Sequence, residues 1–481
     1  MKKRIFITVF ASLAMLENSL AAKIIDKEIT LEKAIETALL NNKKNKISAY
    51  DIQIAQAQYK QAMSANLPSL DLKIGAIKRD EDLINITKGE FELPQDMSNA
   101  LALIAAPDTQ KPQVQQAIAA GMLPAAKLPM NYTSTVLGDR TIAGELKVTY
   151  PLYTGGKISA IQKQARLGKD IAEIKDKRTK QEIVFDIKKY YHGAILAKNV
   201  ANLLKETYER MSALNDLTKS LYEGGSENVK KTDYYRTKIA ASAIKAFYTD
   251  LSSKAKLAKS ALVFAMGLDP KSKITLVDEE QKNNTLSYDL DTLIMRAYKQ
   301  NTQLMKINKA LKIYDAKIDE ARSAYKPNIA LFGAVEKIDN NYDGGMSNSQ
   351  NDSSWSVGIG AEWNLFNGYK TTNEVSEAKL NKLKILEQKK LLEQALALQV
   401  KKAYIGVQSS TDQVDILKQT VKTAEDNRDL NTRAYQADMV KTKDVVEAQI
   451  TEAQIKAKYF QISYSKVLNK AALDLATGTV D

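Results

Sequence analysis

Apolar and polar side chains alternate with a period of two in four places along this chain. Leu70, Leu72, Ile74 and Ala76 alternate with Ser69, Asp71, Lys73 and Gly75. Ile142, Gly144, Leu146, Val148 and Tyr150 alternate with Thr141, Ala143, Glu145, Lys147 and Thr149. Ile329, Leu331, Gly333 and Val335 form a third such face. Trp355, Val357, Ile359, Ala361, Trp363 and Leu365 form the fourth, opposite Ser356, Gly358, Gly360, Glu362 and Asn364. This period predicts strands with one apolar face, over about 69–79, 139–150, 327–338 and 353–366. A soluble half-buried sheet has such a face. Tyr150, Trp355 and Trp363 near strand ends point instead to a membrane barrel, where interfacial aromatics belong.

Elsewhere the period is helical. Ile183, Ile187, Tyr190, Ala194, Ala197, Ala201 and Leu204 follow heptad spacing, as do Leu396, Val400, Ala403, Val407, Ser410, Val414 and Leu417. Val421 and Ala424 extend the second seam. Such seams predict coiled-coil packing. The first long helix, about Lys157–Leu221, is roughly 97 Å long at 1.5 Å per residue, more than a compact domain of this size needs. Shorter helices are expected over about 30–42, 46–66, 229–267, 289–300 and 303–325. Thr30 is the expected N-cap of the first, and Pro68 and Pro327 end the helices before them.

The pattern occurs twice. Leu152, Tyr153, Gly155 and Tyr222 recur 213 residues later as Leu365, Phe366, Gly368 and Tyr435. Asp233, Leu262, Ala265 and Gly267 recur at an offset of 211 as Asp444, Leu473, Ala476 and Gly478. Asn42, Ala65 and Pro68 recur at 259 as Asn301, Ala324 and Pro327. This is one unit duplicated, not a short-period solenoid. The expected division is a leader over 1–21, a first repeat over 22–288 and a second over 289–481. The repeats differ most between their strands. Pro68 to Pro151 spans 83 residues and Pro327 to Asn364 spans 37. The extra residues fall within about 78–140, where Asn99–Ala106 and Gln113–Gly121 have helical patterns. In a barrel this is an extracellular loop, either of no specific function or a constriction of the outer mouth.

Composition narrows the chemistry. Lys2, Lys3 and Arg4, the apolar run Ile5–Leu16 and the small residues Ser19–Ala21 read as a secretory signal peptide, cleaved after Ala21 or Ala22. There is no cysteine, so no disulfide, thiol nucleophile or lipidated cysteine is expected. The one histidine, His192, reads as a packed or half-exposed helix residue, and no metal site or cofactor is expected. The net charge of +13 is spread as interleaved Lys, Arg, Asp and Glu on helix faces. No cluster of arginines and aromatics suggests nucleic acid. No phosphate loop, Gly-x-Ser-x-Gly or acid/base pair suggests an enzyme.

Four strands do not cross a membrane alone, because open sheet edges leave backbone groups unpaired in lipid. Three chains give twelve strands and two give eight; both satisfy the minimum for a barrel. Pseudo-symmetry within the chain favours a ring of equivalent halves.

Several motifs together resemble the TolC-like outer-membrane efflux protein family. They are Pro151-Leu-Tyr-Thr-Gly-Gly156, Asn364-Leu-Phe-Asn-Gly368, Tyr222-Glu-Gly-Gly225 with Thr232-Asp233, Tyr435-Gln-Ala-Asp438 with Asp444-Val-Val-Glu-Ala448, and Leu-x-x-Ala-x-Gly closing each repeat. The resemblance implies an α+β fold: a trimeric twelve-stranded outer-membrane β-barrel, four strands per chain, continuous with a long periplasmic α-helical coiled-coil barrel. It implies a passive exit duct for efflux or type I secretion in a Gram-negative envelope. The implied partners are two further copies, a periplasmic adaptor, an inner-membrane RND, ABC or MFS pump, and outer-membrane lipid. A stand-alone diffusion porin is the alternative, and a periplasmic coiled-coil scaffold a third reading. The cargo and pump class are not legible.

The resemblance also implies a gate at the two interhelical turns. Thr232 and Asp233 match its first-repeat positions, and Tyr435, Asp444 and Glu447 its second-repeat positions. Asp444 and Glu447, three apart on one helical face, would line the constriction as carboxylate rings able to hold a blocking divalent cation. Tyr222, Gly224, Gly225, Tyr435, Ala437 and Lys441 would be the adaptor-docking turns. The family's gate arginine falls on Val440 here; Lys441 and Lys443 are the candidates to replace it, without arginine's planar fork.

Overall fold

A computed structural model of the chain describes residues 26–81, 83–86, 89–130, 133–137, 139–278, 288–340 and 353–479. The expected leader lies outside these residues. In chain order the elements are β1 (Asp26–Ile29), α1 (Leu31–Asn41), α2 (Lys43–Ser64), β2 (Ser69–Lys78), β3 (Leu83–Ile86), β4 (Gly89–Glu92), α3 (Gln95–Ala105), α4 (Lys111–Ala119), β5 (Lys127–Met130), β6 (Thr133–Leu137), β7 (Arg140–Thr154), α5 (Lys157–Glu223), α6 (Lys231–Ala265), β8 (Lys273–Leu276), α7 (Leu290–Gln300), α8 (Thr302–Ser323), β9 (Asn328–Asn340), β10 (Ser353–Glu362), α9 (Lys370–Gln436) and α10 (Thr442–Thr477). They form two compact units.

The strand-bearing unit spans Met63–Ile158 and Glu320–Thr371. Its main sheet is antiparallel, in the order β10-β9-β7-β2. The register brings the apolar positions together. Leu72 faces Leu146, Leu146 faces Val335, and Val335 faces Trp355. The next row is Leu70, Val148, Gly333 and Val357. The four sequence stripes thus merge into one apolar face, and most of its large side chains are exposed. The opposite face carries Lys73 paired with Glu145. It also carries Phe332, whose ring lies over Gly358 and Gly360; a Cβ on Gly358 would stand 2.7 Å from that ring. Among the described residues β10 and β2 each have one neighbour, so both outer edges of this sheet are unpaired within the chain.

The fourth strand ends earlier than its alternation predicts, at Glu362 rather than Phe366. Glu362 pairs with Asn328, the first residue of β9, so Trp363 has no strand opposite it. Its indole Nε1 donates instead to Tyr325 O, 3.0 Å away. β7 runs on to Thr154 through a register shift between Pro151 and Tyr153, where proline has no N–H to give the ladder.

The segment between β2 and β7 folds into a structure of its own. β3 pairs with β6, and β4 with β5. These two ladders, which no clear alternation announces, carry the helical hairpin α3–α4. Pro94 precedes α3, and Pro112 occupies the first turn of α4, where a missing N–H costs nothing. Both helices begin and end earlier than expected.

The helical unit comprises the stretch up to Ala62, Ser159–Asp319 and Thr372–Asp481. α5 and α9 are each 67 residues long, or about 100 Å. The second heptad seam is buried at Leu396, Val400, Ala403, Val407, Ser410 and Ala424. The first seam is buried at Ile183, Ile187, Ala194 and Ala201, with Tyr190 half-buried against the same core and its neighbour Tyr191, 1% exposed, buried more deeply. β1 and β8 form a small parallel ladder that the periodicity does not reveal. The Tyr191 hydroxyl reaches carbonyl oxygens at its end, 3.0 Å from Ile29 O and 2.7 Å from Val277 O. A polar partner there explains why Tyr191 is buried more deeply than its neighbour.

Two of the repeated residue pairs have a shared physical cause. Asn42 Nδ2 donates to Ala265 O at 2.6 Å, and Asn301 Nδ2 to Ala476 O at 2.9 Å. Each asparagine thereby satisfies a carbonyl left open at the end of α6 or α10. Gly267 and Gly478 follow with φ of 70° and 75°. A Cβ on Gly267 would lie 2.5 Å from Asn41 O, and one on Gly478 2.6 Å from Gln300 O. Positive φ and the close backbone both require glycine.

Candidate functional site

The turns after α5 and α9 close in the same way. After α5, Gly225 N donates to Tyr222 O and Ser226 N to Leu221 O. After α9, Asp438 N donates to Tyr435 O and Met439 N to Ala434 O. Both are Schellman motifs with one left-handed residue. In the first it is Gly225 (φ 80°), in the second Asp438 (φ 57°). A side chain at positive φ is costly unless held. Here Asn228 Nδ2, from the other turn, donates to Asp438 Oδ2 at 2.8 Å.

The expected gate residues lie around these turns in different settings. Asp233 and Asp444 occupy equivalent positions in the first turns of α6 and α10. Asp233 Oδ2 accepts the Lys230 N–H at 3.0 Å, and Asp444 Oδ2 the Lys441 N–H at 3.2 Å. Each thus caps its own helix, where a negative charge is also favoured. Asp233 is paired as well with Arg236, at 3.3 Å. Thr232 and Glu447 are exposed.

Tyr435 is 3% exposed. Its hydroxyl stands 3.1 Å from both Thr218 Oγ1 and Thr442 Oγ1. Thr218 gives its own proton to Leu214 O at 2.7 Å. Tyr435 therefore donates to Thr218 and accepts from Thr442, which ties the end of α9 to α5 and α10. Its ring packs with Met211, Leu214, Ala241, Ile244, Val445 and Val446. Val440, at the expected arginine position, packs against this same cluster. Neither Lys441 nor Lys443 takes up the arginine's bonds: both side chains are exposed, and the Lys441 backbone serves the helix cap. Of the expected docking residues, Tyr222 is 38% exposed, Gly224 and Ala437 form the turn backbones, and Gly225 supplies the left-handed residue.

The most deeply buried charge near the turns is Glu452 of α10, 0% exposed. Its Oε2 accepts from Arg210 of α5 at 2.9 Å. Its Oε1 accepts from Arg428 of α9 at 2.9 Å and from Lys456 at 2.6 Å. Lys456 also pairs with Glu425 at 2.6 Å, and Arg428 with Asp429. Three cations thus meet three carboxylates. Burial alone pulls the Lys456 ammonium down, but bonds to Glu425 and Glu452 outweigh it and hold it above its ordinary value. Arg428 behaves alike: burial opposes its charge, while Asp429 and Glu452 more than restore it. The i,i+4 spacing of Glu452 and Lys456 and the close spacing of Glu425, Arg428 and Asp429 are the local signs of this hub.

Among the described residues, no three acidic or histidine side chains converge as metal ligands. No described helix is long and apolar enough to cross a membrane. His192 stands edge-on to Tyr191 at 5.5 Å, and burial lowers its pKa against the opposing charge of Asp278.

The fold is that of bacterial outer-membrane channels. It superposes on the crystal structure of the Campylobacter jejuni CmeC outer membrane channel with a TM-score of 0.71, at 16% identity, covering 93% of this chain and 85% of that one. CusC, crystallised in a study of folding and transmembrane channel formation, gives 0.70 at 16% identity, covering 93% and 92%. Residues 293–479 match the family described as Outer membrane efflux protein. The outer membrane protein TolC of Escherichia coli (strain K12) is 21% identical over 200 residues. That match spans 40% of this chain and 41% of TolC, so about two fifths of the curated relative's length. Over residues 293–479 the chain is thus similar to the outer-membrane efflux protein family, of which TolC is a curated relative.

Proposed function

We propose that this protein is the outer-membrane exit duct of a tripartite efflux or type I secretion system. Three copies close twelve strands into a barrel, and their helices form a periplasmic tunnel. The duct passively conducts cargo delivered by an inner-membrane pump through a periplasmic adaptor. It needs no catalytic chemistry of its own.

One observation carries this reading: a four-stranded sheet with a continuous exposed apolar face and two unpaired edges. In water that face is a large liability. In lipid it is the required surface, provided the edges meet those of other copies. The helical pair α5 and α9, each about 100 Å long, supplies a rod suited to the periplasm. CmeC is described as an outer membrane channel, which agrees.

The turns are proposed as the periplasmic gate. Asp444 and Glu447 of three copies would ring the aperture and attract cations. The Thr442–Tyr435–Thr218 chain and the Asn228–Asp438 bond would hold the turns closed in each copy. Tyr222, Gly224, Gly225, Ala437 and Lys441 would meet the adaptor.

Light scattering of the detergent-solubilised protein should give the mass of three chains. Planar bilayers should record channels blocked by divalent cations. Crosslinked envelopes should yield an adaptor and a pump. A conducting trimer that recovers neither under any condition would favour the stand-alone porin; a non-conducting monomer would end both readings.

A further inference from the structure

We propose that the α3–α4 hairpin is a self-association surface, whose apolar face packs against the same hairpin of neighbouring copies. This rests on the trimeric barrel proposed above.

On α3, Met97, Leu101 and Ile104 follow one another at i, i+4 and i+7, hence on one face. All three are exposed, Ile104 by 80%. Met122, just beyond α4, is 77% exposed. A soluble surface rarely leaves such residues bare without a partner.

The hairpin is firmly built at its base, so this face has a fixed aim. Leu93 N donates to Ala126 O at 3.1 Å. The buried Ser98 Oγ accepts from Ala126 N at 2.9 Å and lies 3.1 Å from Leu93 O, to which it donates. Gln95 Nε2 donates to Leu123 O at 2.9 Å.

Charge and composition choose the occupant. Across the chain 26% of residues are charged, yet Leu93–Ala126 holds only Asp96, Asp108 and Lys111. Asp108 and Lys111 pair with each other at 2.6 Å. Copies of this segment therefore repel one another little. The segment also contains no Trp, Tyr, Phe or Arg. Those are the side chains that anchor a surface in the headgroup layer, so a lipid occupant is disfavoured. The hairpin is tethered between β2 and β7, and the outer edge of β2 is one that another copy must cover. Closing the sheet sets β2 of one copy beside β10 of the next, so the three hairpins stand at the same end of the barrel around one axis, where their apolar faces can meet.

The absence of cysteine makes the test clean. Ile104→Cys and Met122→Cys in the full chain should each crosslink to higher-mass bands with a short bismaleimide, while Gln113→Cys on the exposed polar side of α4 stays at background. Ile104→Lys should enlarge single-channel conductance and leave the trimer mass unchanged. A trimeric Ile104→Cys variant that stays uncrosslinked, with its thiol freely labelled, would overturn the proposal. So would quenching by brominated phospholipid of a fluorophore attached to that thiol, which would place the face on the membrane. A monomer by light scattering would instead remove the trimer reading itself, and this proposal with it.

Discussion

The α5–α6 and α9–α10 turns share a backbone trace and differ in what holds it. The first uses Gly225 for its left-handed residue; the second uses Asp438 and holds it with Asn228. The differences continue along the helices. At the repeat offsets, Tyr435 corresponds to Tyr222, Arg428 to Asn215, Glu452 to Ala241 and Lys456 to Lys245. Tyr435 is buried and doubly hydrogen-bonded, whereas Tyr222 is exposed. Glu452 gathers three cations, whereas Ala241 packs in an apolar cluster and Lys245 lies over the Tyr208 ring. Both turn regions share one apolar cluster, and the second adds to it a buried network of polar and charged side chains that the first largely lacks.

The largest break in this asymmetry is Glu452→Gln. Removing one partner from a buried charge cluster costs about 3–5 kcal/mol, because Arg210, Arg428 and Lys456 lose their shared counter-charge. Denaturant unfolding of the solubilised protein measures this; a loss under about 1 kcal/mol would mean that water takes over the role of the carboxylate. Tyr435→Phe should cost about 1–2 kcal/mol by leaving Thr218 and Thr442 short of a partner, while Tyr222→Phe stays within about 0.5 kcal/mol. Equal effects at the two tyrosines would erase the contrast. Gly225→Ala should cost about 1 kcal/mol. Space is not the reason, since a Cβ there meets nothing within 4 Å.

Asp444→Ala should cost about 0.5–1 kcal/mol through its helix cap, and Asp233→Ala about the same. The channel readout separates them further. Asp444→Ala combined with Glu447→Ala should weaken divalent-cation block in planar bilayers, and unchanged block would remove these carboxylates from the proposed gate. The smallest effect is in pH. Lys456 is held above its ordinary value of 10.5. Its contribution is therefore complete below that value and is lost only as pH rises through the higher folded-state value. Lys456→Met should narrow stability differences in strongly alkaline buffer and leave the slope between pH 7 and about 9 untouched.

How much the chain discloses in advance depends on how local each signal is. The strands are legible because alternation is a property of adjacent residues, and the second heptad seam because Leu396 through Ala424 repeat without competition. Periodicity finds the first seam but not the deeper burial of Tyr191 beside Tyr190, which the distant Ile29 and Val277 carbonyls decide. The strand end at Glu362 depends on where β9 begins, which the alternation of Trp363 and Leu365 does not register. Glu452 illustrates the limit. Its burial is set by Arg210, 242 positions away, and by Arg428 on another helix. Of the candidate site, the turns themselves are visible as Gly-Gly and Ala-Asp signals. That an acidic residue near a helix start such as Asp444 serves the helix terminus is legible in the sequence; the specific bonds of Asp233 and Asp444 to the Lys230 and Lys441 N–H groups emerge from the structure.

The asparagine–glycine joints carry a consequence for ancestry. Gly267 and Gly478 admit no substituent at all, and Asn42 and Asn301 fit a carbonyl that few other side chains reach. Drift is therefore closed at these four positions while the surrounding helix faces remain free to change. Against a relative that is 21% identical over 200 residues, these two joints are the positions expected to stay fixed. A distant homologue that aligns with this chain should keep both pairs while the rods between them diverge.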